Sequence, residues 1–238
     1  MGIEVKNLTK KYDKKIVLND ISFSVEDGKT LCIIGFSGSG KSTILKIISK
    51  LTDYNSGEII TDDCDIAMVF QYSALFDSLN VFENISFALT ERPEFKGKYT
   101  QEELKEIVAN SLKLVGLEGI EGKYPHELSG GMQKRVSFAR AIVTNPGIIL
   151  YDEPTAGLDP ISSTLIEDYI VRLKNETNAA SIVVTHQMST IRRTADSVLM
   201  LYNGKAVFEG TPDELCQQNT DYTRQFVNAT IDGPMKMI

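Results

Sequence analysis

The amino-acid sequence predicts a mixed α/β fold built around a buried parallel sheet. Three short apolar runs, at residues 30–34, 148–151 and 181–185, are continuous rather than alternating, which is typical of strands buried on both faces of such a sheet. The runs end at a glycine-rich loop, an acidic pair and a histidine, respectively. Because ligands bind at the carboxyl ends of strands in open α/β sheets, we expect these residues to face one site.

The first strand leads into a phosphate-binding loop. Residues 35–42 read Gly-Phe-Ser-Gly-Ser-Gly-Lys-Ser, which fits the pattern of a glycine, four residues and Gly-Lys-Ser between a strand and a helix. Glycines let the backbone close around phosphate oxygens, and successive N–H groups then form an anion nest at the helix N-terminus. Lys41 adds a charge for the β- and γ-phosphates, and the Ser42 hydroxyl is placed to ligate Mg²⁺. A glycine-rich turn without a ligand is the alternative, and both the spacing and the flanking elements argue against it.

Composition and charge limit the class of protein. A hydrophobic share of 42% and a charged share of 24% are ordinary for a soluble globular chain, and 238 residues make one large domain or two small ones. The net charge of −7 argues against nucleic acid as a direct partner. No apolar run approaches the roughly 18 residues that cross a bilayer, so no direct membrane insertion is predicted. The three cysteines are widely spaced, which indicates reduced thiols in a cytosolic protein.

The first half of the chain alternates between strand and helix patterns. Residues 3–25 predict an antiparallel β region, and Tyr12 lies in a polar bend after its first strand. The Tyr12 ring could stack on a nucleotide base or could be an ordinary strand-end tyrosine. Residues 57–61 and 66–70 predict two further strands, the second ending at Gln71. From about residue 72 to residue 145 the periodicity becomes helical, with a capping box at residues 100–103.

Cap and turn residues mark the remaining elements. Asp159 followed by Pro160 predicts the start of a helix. The dipeptide Asn203-Gly204 between two apolar runs predicts a hairpin. Residues 211–214 predict the capped start of the last helix, which is followed by an irregular tail over residues 228–238.

A second candidate anion site lies at residues 128–132, which read Leu-Ser-Gly-Gly-Met. Ser129 can cap a helix that runs to about residue 143. A plain cap explains Ser129 but not Gly130 and Gly131, because glycines in a first turn cost stability. Open N–H groups at this helix N-terminus therefore predict a second site for an anion.

The acidic pair Asp152-Glu153 is the third candidate element. Asp152 ends a buried strand, so we expect it to face the phosphate site and to hold Mg²⁺ directly or through water. The side chain of Glu153, the next residue, points in a different direction from that of Asp152 and could polarise an attacking water. A surface acidic pair is the alternative, which the phosphate loop in the same chain disfavours. His186 could contact the γ-phosphate and Gln71 could reach the metal or the water, although neither residue alone distinguishes function from structure.

The order of the motifs resembles that of the ATP-binding-cassette (ABC) ATPases along nearly the whole chain. These motifs are the phosphate loop, Gln71 and the residues at 128–132, 151–154, 156–159 and 186. The resemblance implies a P-loop NTPase fold of the ABC type, with a RecA-like core, an antiparallel β subdomain and a helical subdomain over about residues 72–145, all within residues 1–227. It implies ATP and Mg²⁺ as cofactors. It also implies a homodimer whose permease subunits dock on the helical segment, which would hold the chain peripherally at the cytoplasmic face of the inner membrane.

The same resemblance implies roles for single residues. Tyr12 would stack on adenine, Glu153 would be the general base, and His186 would sense the γ-phosphate. Nucleotide binding is assigned to Tyr12, Gly35, Phe36, Ser37, Gly38, Ser39, Gly40, Lys41, Ser42 and Thr43; catalysis to Lys41, Glu153 and His186; metal binding to Ser42, Gln71 and Asp152; and contact across the dimer to Ser129, Gly130, Gly131 and Asp159.

A finer resemblance is to the Mla/Mce-type lipid-transport ATPases, and it rests on residues 70–76, residues 80–84, the Leu-Ser-Gly-Gly-Met motif and the tail. Those relatives energise phospholipid movement between bacterial membranes with a permease pair and a substrate-binding Mce subunit. The alternatives are the ATPase of an amino-acid transporter or of a lipoprotein-release system, and a soluble cassette protein that acts on ribosomes or DNA. The acidic balance and the lack of a cysteine cluster argue against the soluble class.

Three features depart from the family pattern. Phe36 stands where proline is common, and Met132 stands where glutamine is common, although Mla-type relatives also carry methionine there. Only residues 42–70 separate Lys41 from Gln71, which is a shorter segment than usual. The sheet arrangement in this segment therefore stays open at the level of sequence.

The tail can be either a frayed end or a docked arm. Gly233-Pro234 excludes a continuous helix, and the apolar residues Ile231, Met235, Met237 and Ile238 are too few to form a core. In the Mla-type resemblance, the tail at residues 228–238 reaches across to the partner ATPase and clasps the dimer.

Overall fold

The computed structural model describes residues 2–13, 15–62 and 64–236. Its strands are β1 Ile3–Tyr12, β2 Lys15–Val25, β3 Thr30–Gly35, β4 Ser56–Thr61, β5 Ile66–Val69, β6 Ile148–Asp152, β7 Ala180–Val184, β8 Ser197–Tyr202 and β9 Lys205–Gly210. Its helices are α1 Lys41–Ile48, α2 Val81–Glu91, α3 Gln101–Leu114, α4 Gly130–Ile142, α5 Pro160–Thr177, α6 Met188–Thr194, α7 Pro212–Cys216 and α8 Asp221–Val227, with a 3₁₀ helix at Pro125–Glu127.

The central sheet has the strand order β5-β6-β7-β3-β8-β9. All neighbouring pairs are parallel except β8 and β9, which form the antiparallel hairpin predicted around Asn203-Gly204. Every residue of β3, β6 and β7 is buried, as their continuous apolar runs predict. Since these three strands are adjacent and parallel, the loop after β3 and the residues after β6 and β7 lie at one edge of the sheet.

A smaller antiparallel sheet has the strand order β2-β1-β4 and covers one face of the central sheet. It confirms the predicted β region at residues 3–25, where Ile21, Phe23 and Val25 are buried and the intervening serines are exposed. The short segment at residues 42–70 supplies α1 and contributes one strand to each sheet.

The central sheet separates two hydrophobic clusters. Because side chains alternate along a strand, Cys32 and Ile34 of β3 enter one cluster, and Leu31 and Ile33 enter the other. The second cluster also contains the predicted buried face of α1, namely Ile44, Leu45, Ile47 and Ile48. Each such side chain stabilises the fold by about 1.5–3 kcal/mol, so the loop between β3 and α1 is anchored on both sides.

Three α-helices and the 3₁₀ helix lie between β5 and β6, within the region whose periodicity predicts helix. The capping box at Thr100 is confirmed: Thr100 N–H donates to Glu103 Oε2 at 2.7 Å, and Glu103 N–H donates to Thr100 Oγ1 at 3.3 Å. The helix ends at Leu114, and Gly116 follows with a φ of 63°. The buried face of α3 packs against the same cluster as α2 and α4.

The prediction that Thr211 caps the last helix is wrong. Thr211 does cap α7, but a second short helix, α8, follows before the tail. Its cap is Thr220, whose Oγ1 accepts a hydrogen bond from Thr223 N–H at 3.1 Å. A helix this short, with threonine instead of an acidic residue at its third position, carries too weak a periodic and capping signal to be read from sequence.

Candidate functional site

A cavity of about 1150 Å³ lies at the edge where β3, β6 and β7 end. Its walls bring together most of the predicted site residues, which the sequence disperses over most of the chain. The lining includes Tyr12, Gly35, Phe36, Ser37, Gly38, Gly40, Lys41, Ser42, Thr43, Gln71, Glu153 and His186. Ser39 and Asp152 are buried next to this lining.

The loop backbone depends on glycine at two positions. Gly35 has a φ of 140°, and a Cβ there would lie 2.3 Å from the carbonyl oxygen of Leu201. Gly40 has a φ of 104°, and a Cβ there would lie 2.6 Å from Leu18 Cδ2. Both conformations are ones that L-residues rarely adopt, so these glycines let the loop lie close against Leu201 and Leu18.

The Lys41 ammonium lies at the centre of the loop. Lys41 Nζ donates hydrogen bonds to the carbonyl oxygens of Gly35 and Phe36, both at 2.8 Å. Burial lowers the pKa of Lys41, and the carboxylates of Glu153 and Asp152 act in the opposite direction. A partly desolvated cation held at this point attracts an anion more strongly than an exposed lysine does.

The oxygen atoms near Lys41 fit a Mg²⁺ ion that arrives with a nucleotide. Ser42 Oγ donates to Asp152 Oδ1 at 2.9 Å, so a hydroxyl and a carboxylate meet at one point. No cluster of three or more histidine, cysteine or acidic residues in the described part of the chain could hold a metal alone. Mg²⁺ is usually bound by one or two carboxylates together with substrate phosphates, which matches this set. Gln71 lines the same cavity.

Glu153 and His186 form a pair in the wall of the cavity. Glu153 Oε1 lies 2.9 Å from His186 Nδ1. Glu153 Oε2 is buried and makes no hydrogen bond within the described residues, so its capacity to accept a hydrogen bond is unused there. Glu153 also has a φ of 46°, which is unusual for a residue with a side chain. Strained backbone of this kind clusters at functional sites.

The Tyr12 ring lies at the cavity, at the end of β1. The side chain is 45% exposed, and Lys10 Nζ lies 4.6 Å from the ring centroid. The Tyr12 ring therefore borders the cavity that the phosphate loop also lines.

The second candidate anion site lies outside this cavity. Ser129 caps α4, where its Oγ accepts a hydrogen bond from Met132 N–H at 3.3 Å. Side chains built on Gly130 and Gly131 would meet no atom within 4 Å, so the N-terminus of α4 is open. Asp159 caps α5, with Oδ1 accepting from Ile161 N–H and from Ser162 N–H, both at 3.0 Å.

Lys134 is a site residue to which sequence reasoning gave no role. Its Nζ donates to the carbonyl oxygens of Pro154 at 3.1 Å and Ala156 at 2.6 Å. It therefore ties α4 to the segment that follows the acidic pair. The only sequence signal was its position one turn into the helix that Ser129 caps.

The described part of the tail docks on its own subunit. Gln225, which is 3% exposed, accepts from Met235 N–H at 2.8 Å and donates to Met235 O at 2.7 Å and Ile231 O at 3.2 Å. Met235 is buried, and Lys236 N–H donates to the Tyr202 hydroxyl at 3.0 Å. The tail borders the same cavity as the phosphate loop. Met237 and Ile238, which were also expected to dock, lie outside the described residues.

The fold and the site together define a P-loop NTPase of the ABC type. A family model described as "ABC transporter" matches residues 18–156, and the chain belongs to this family. Membership makes it an ATP-binding subunit of the ABC ATPase class, whose members hydrolyse ATP.

Individual relatives show which members of the ABC family this chain is similar to. The chloroplastic protein TRIGALACTOSYLDIACYLGLYCEROL 3 of Arabidopsis thaliana is 41% identical, with the match covering 98% of this chain and 75% of that protein. The intermembrane phospholipid transport system ATP-binding protein MlaF of Haemophilus influenzae is 36% identical, with 98% and 93% covered. The chain is therefore MlaF-like. Proteins named for phosphonate and sulfate import also match, so similarity leaves the transported substrate open.

A solved structure supports the same assignment. The dimeric post-hydrolysis ATP-binding cassette MJ0796, bound to ADP and Pi, superposes with a TM-score of 0.78 at 32% identity, covering 88% of this chain and 98% of that one. That protein is described as a dimer with its hydrolysis products bound.

Proposed function

We propose that this chain is the ATP-hydrolysing subunit of a membrane transporter that moves phospholipid between bacterial membranes. The observation that carries the ATPase part is the single cavity that unites the phosphate loop, the Ser42–Asp152 pair and the Glu153–His186 pair. The lipid part is supported by similarity to MlaF over nearly the full length of both chains.

In this proposal each residue of the cavity has a defined task. The loop N–H groups and Lys41 bind the phosphates, and Tyr12 stacks on the adenine. Ser42, Asp152 and Gln71 hold Mg²⁺, which neutralises charge on the phosphates. The Glu153 carboxylate takes the proton of the attacking water. His186 orients Oε1 of Glu153 and contacts the γ-phosphate.

The open N-terminus of α4 completes the site from a second subunit. Ser129, Gly130 and Gly131 do not line the cavity of their own subunit, so their N–H groups would bind the nucleotide of a partner in a homodimer. Asp159 lies at the start of α5, on the segment that Lys134 ties to α4, and would face the partner at the same interface.

The membrane partners follow from the class of transporter. None of the described helices is long and apolar enough to cross a bilayer. We infer that a permease pair holds the chain at the cytoplasmic face of the inner membrane, with an Mce-type subunit binding the lipid. An ABC transporter ATPase for another substrate is the second candidate, because relatives named for phosphonate and sulfate import match as well.

Purification of the tagged chain from the membranes of its source tests the function directly. We expect a permease and an Mce-type protein to co-purify, with phospholipid as the bound small molecule, and the complex to hydrolyse ATP. Liposomes without these partners should not bind the chain. Recovery of a soluble solute-binding protein with a phosphonate or an amino acid would support the second candidate instead.

We propose that the tail is an arm that stabilises the dimer. The described part lies on its own subunit and borders the mouth of the cavity that the partner must cover. No residue of this part hydrogen-bonds to the phosphate loop. The arm is thus placed to influence the pairing of two ATPase subunits without binding the nucleotide phosphates.

Deleting residues 228–238 is expected to leave a folded chain that binds ATP. We expect this chain to form the dimer less readily and its transporter to move less substrate. Nucleotide titration gives the affinity, and analytical ultracentrifugation with ATP gives the dimer fraction. Gln225→Ala is the matched variant, because it removes the three hydrogen bonds that the Gln225 side chain makes to the arm without shortening the chain. If both variants pair and transport like the full chain, the tail has no role in assembly.

A further inference from the structure

A buried carboxylate lies behind the site and has no part in the roles above. Glu167 is in α5, and it is 1% exposed. Charged side chains are almost never fully buried unless they are paired, because the loss of hydration is costly. The contacts that compensate Glu167 therefore point to a specific task.

Glu167 ends a chain of hydrogen bonds between buried hydroxyls. Thr190 Oγ1 donates to Glu167 Oε1 at 2.8 Å, and Thr155 Oγ1 lies 3.3 Å from Thr190 Oγ1. Because a hydroxyl has one proton and the carboxylate takes that of Thr190, the Thr155 hydroxyl is the donor in the second bond. Both threonines are completely buried. Glu167 Oε2 makes no hydrogen bond within the described residues. Arg193 Nε, which donates to Asp168 Oδ1 at 3.2 Å, lies 3.6 Å from Glu167 Oε2 and offsets part of the negative charge.

The two threonines lie in the segments that carry Glu153 and His186. Thr155 follows Glu153 by two residues, and Thr190 follows His186 by four, in the short helix α6. The same segments also meet at the cavity, where Glu153 Oε1 lies 2.9 Å from His186 Nδ1. They are therefore joined twice: once in the cavity wall and once beneath it.

We propose that Glu167 is a positioning residue for the Glu153–His186 pair. The carboxylate fixes Thr190, Thr190 fixes Thr155, and the two threonines set the distance between the segment after β6 and the helix after β7. A charge-assisted bond is stronger than one between neutral groups, which explains a carboxylate at the end of the chain. The inference rests on the proposed roles of Glu153 and His186 in hydrolysis.

Thr190→Val tests the inference because valine has the shape of threonine and lacks the bridging hydroxyl. In the purified transporter complex we expect kcat for ATP hydrolysis to fall about tenfold, since small displacements of reacting groups cost up to about a hundredfold in rate. The KM for ATP and the nucleotide affinity should not change. Thr190→Ser, which keeps the hydroxyl, should retain most of the rate.

Thr194→Val is the matched control, one turn further along α6. Its hydroxyl is buried and donates to Thr190 O at 2.7 Å, with Cys32 Sγ at 3.6 Å, but within the described residues it makes no hydrogen bond to Glu167 or Thr155. This variant removes a buried hydroxyl from the same helix and leaves the chain of bonds intact. We expect it to lower thermal stability, though less than Thr190→Val because its bond is to a neutral carbonyl, and to leave kcat unchanged.

Combining Thr190→Val with Glu153→Gln in one protein distinguishes a failure of this inference from a failure of the proposed function. A residue that acts through Glu153 should cause no further loss of the residual rate once that carboxylate is gone. A further tenfold loss there, or an equal fall in kcat for Thr190→Val and Thr194→Val, would overturn the positioning role. If Thr190→Val does not fold, Thr155→Val decides by the same criteria. Full activity of Glu153→Gln would count against the proposed function instead.

Discussion

Glu153→Gln is expected to keep ATP binding and to lower hydrolysis by about two to four orders of magnitude. Glutamine preserves the shape of the side chain, and its amide oxygen can keep the position of Oε1 beside His186 Nδ1. The amide cannot take a proton from the attacking water, which is the role proposed for the Glu153 carboxylate. Nucleotide titration and the rate of phosphate release measure the two effects separately.

The same variant should accumulate as a closed dimer in ATP, because binding continues while turnover stops. Glu176→Gln is a control for the chemical change, because Glu176 lies exposed in α5, where its Oε1 accepts a hydrogen bond from Arg172 Nε at 2.7 Å. It should hydrolyse ATP normally. Near-normal hydrolysis by Glu153→Gln would rule Glu153 out as the general base.

The parts of the site that could be predicted from sequence are those set by local patterns. The loop at residues 35–42 follows from glycine positions that the backbone requires, as at Gly35 and Gly40. Asp152, Glu153 and His186 could be placed at one edge because continuous apolar runs identify parallel strands, whose carboxyl ends coincide. For Tyr12 the sequence left two interpretations open, because no local pattern indicates that β1 ends beside the phosphate loop.

Contacts between distant segments could not be predicted in this way. The bonds that join Thr155, Thr190 and Glu167 connect three elements, and single threonines and glutamates carry no spacing signal. The sequence shows that Lys134 is basic, but it does not indicate which groups Lys134 binds. Its hydrogen-bond acceptors are backbone carbonyls, which no sequence pattern identifies. Likewise, docking of the arm depends on one glutamine, Gln225, whose partners are backbone groups of Ile231 and Met235.

Ser129→Arg is expected to leave ATP binding to the phosphate loop intact and to block both dimer closure and hydrolysis. Ser129 is exposed at the open N-terminus of α4 and does not line the cavity of its own subunit, so the isolated chain should bind nucleotide normally. In a closed dimer the arginine would occupy the space where the partner's phosphates meet the N–H groups of Gly130 and Gly131. Hydrolysis should fall by about a hundredfold or more, because the second half of the site is displaced.

Loss of the helix cap has to be separated from this obstruction, since replacing a capping serine costs about 1 kcal/mol of stability. Thr100→Arg makes the same kind of change at the N-cap of α3, where the side chain is exposed and does not line the nucleotide cavity. It should lose similar stability and still close and hydrolyse ATP. Sedimentation with ATP and phosphate release distinguish the two variants. If Ser129→Arg abolishes ATP binding by the monomer, the assignment of Ser129 to the partner's nucleotide is wrong.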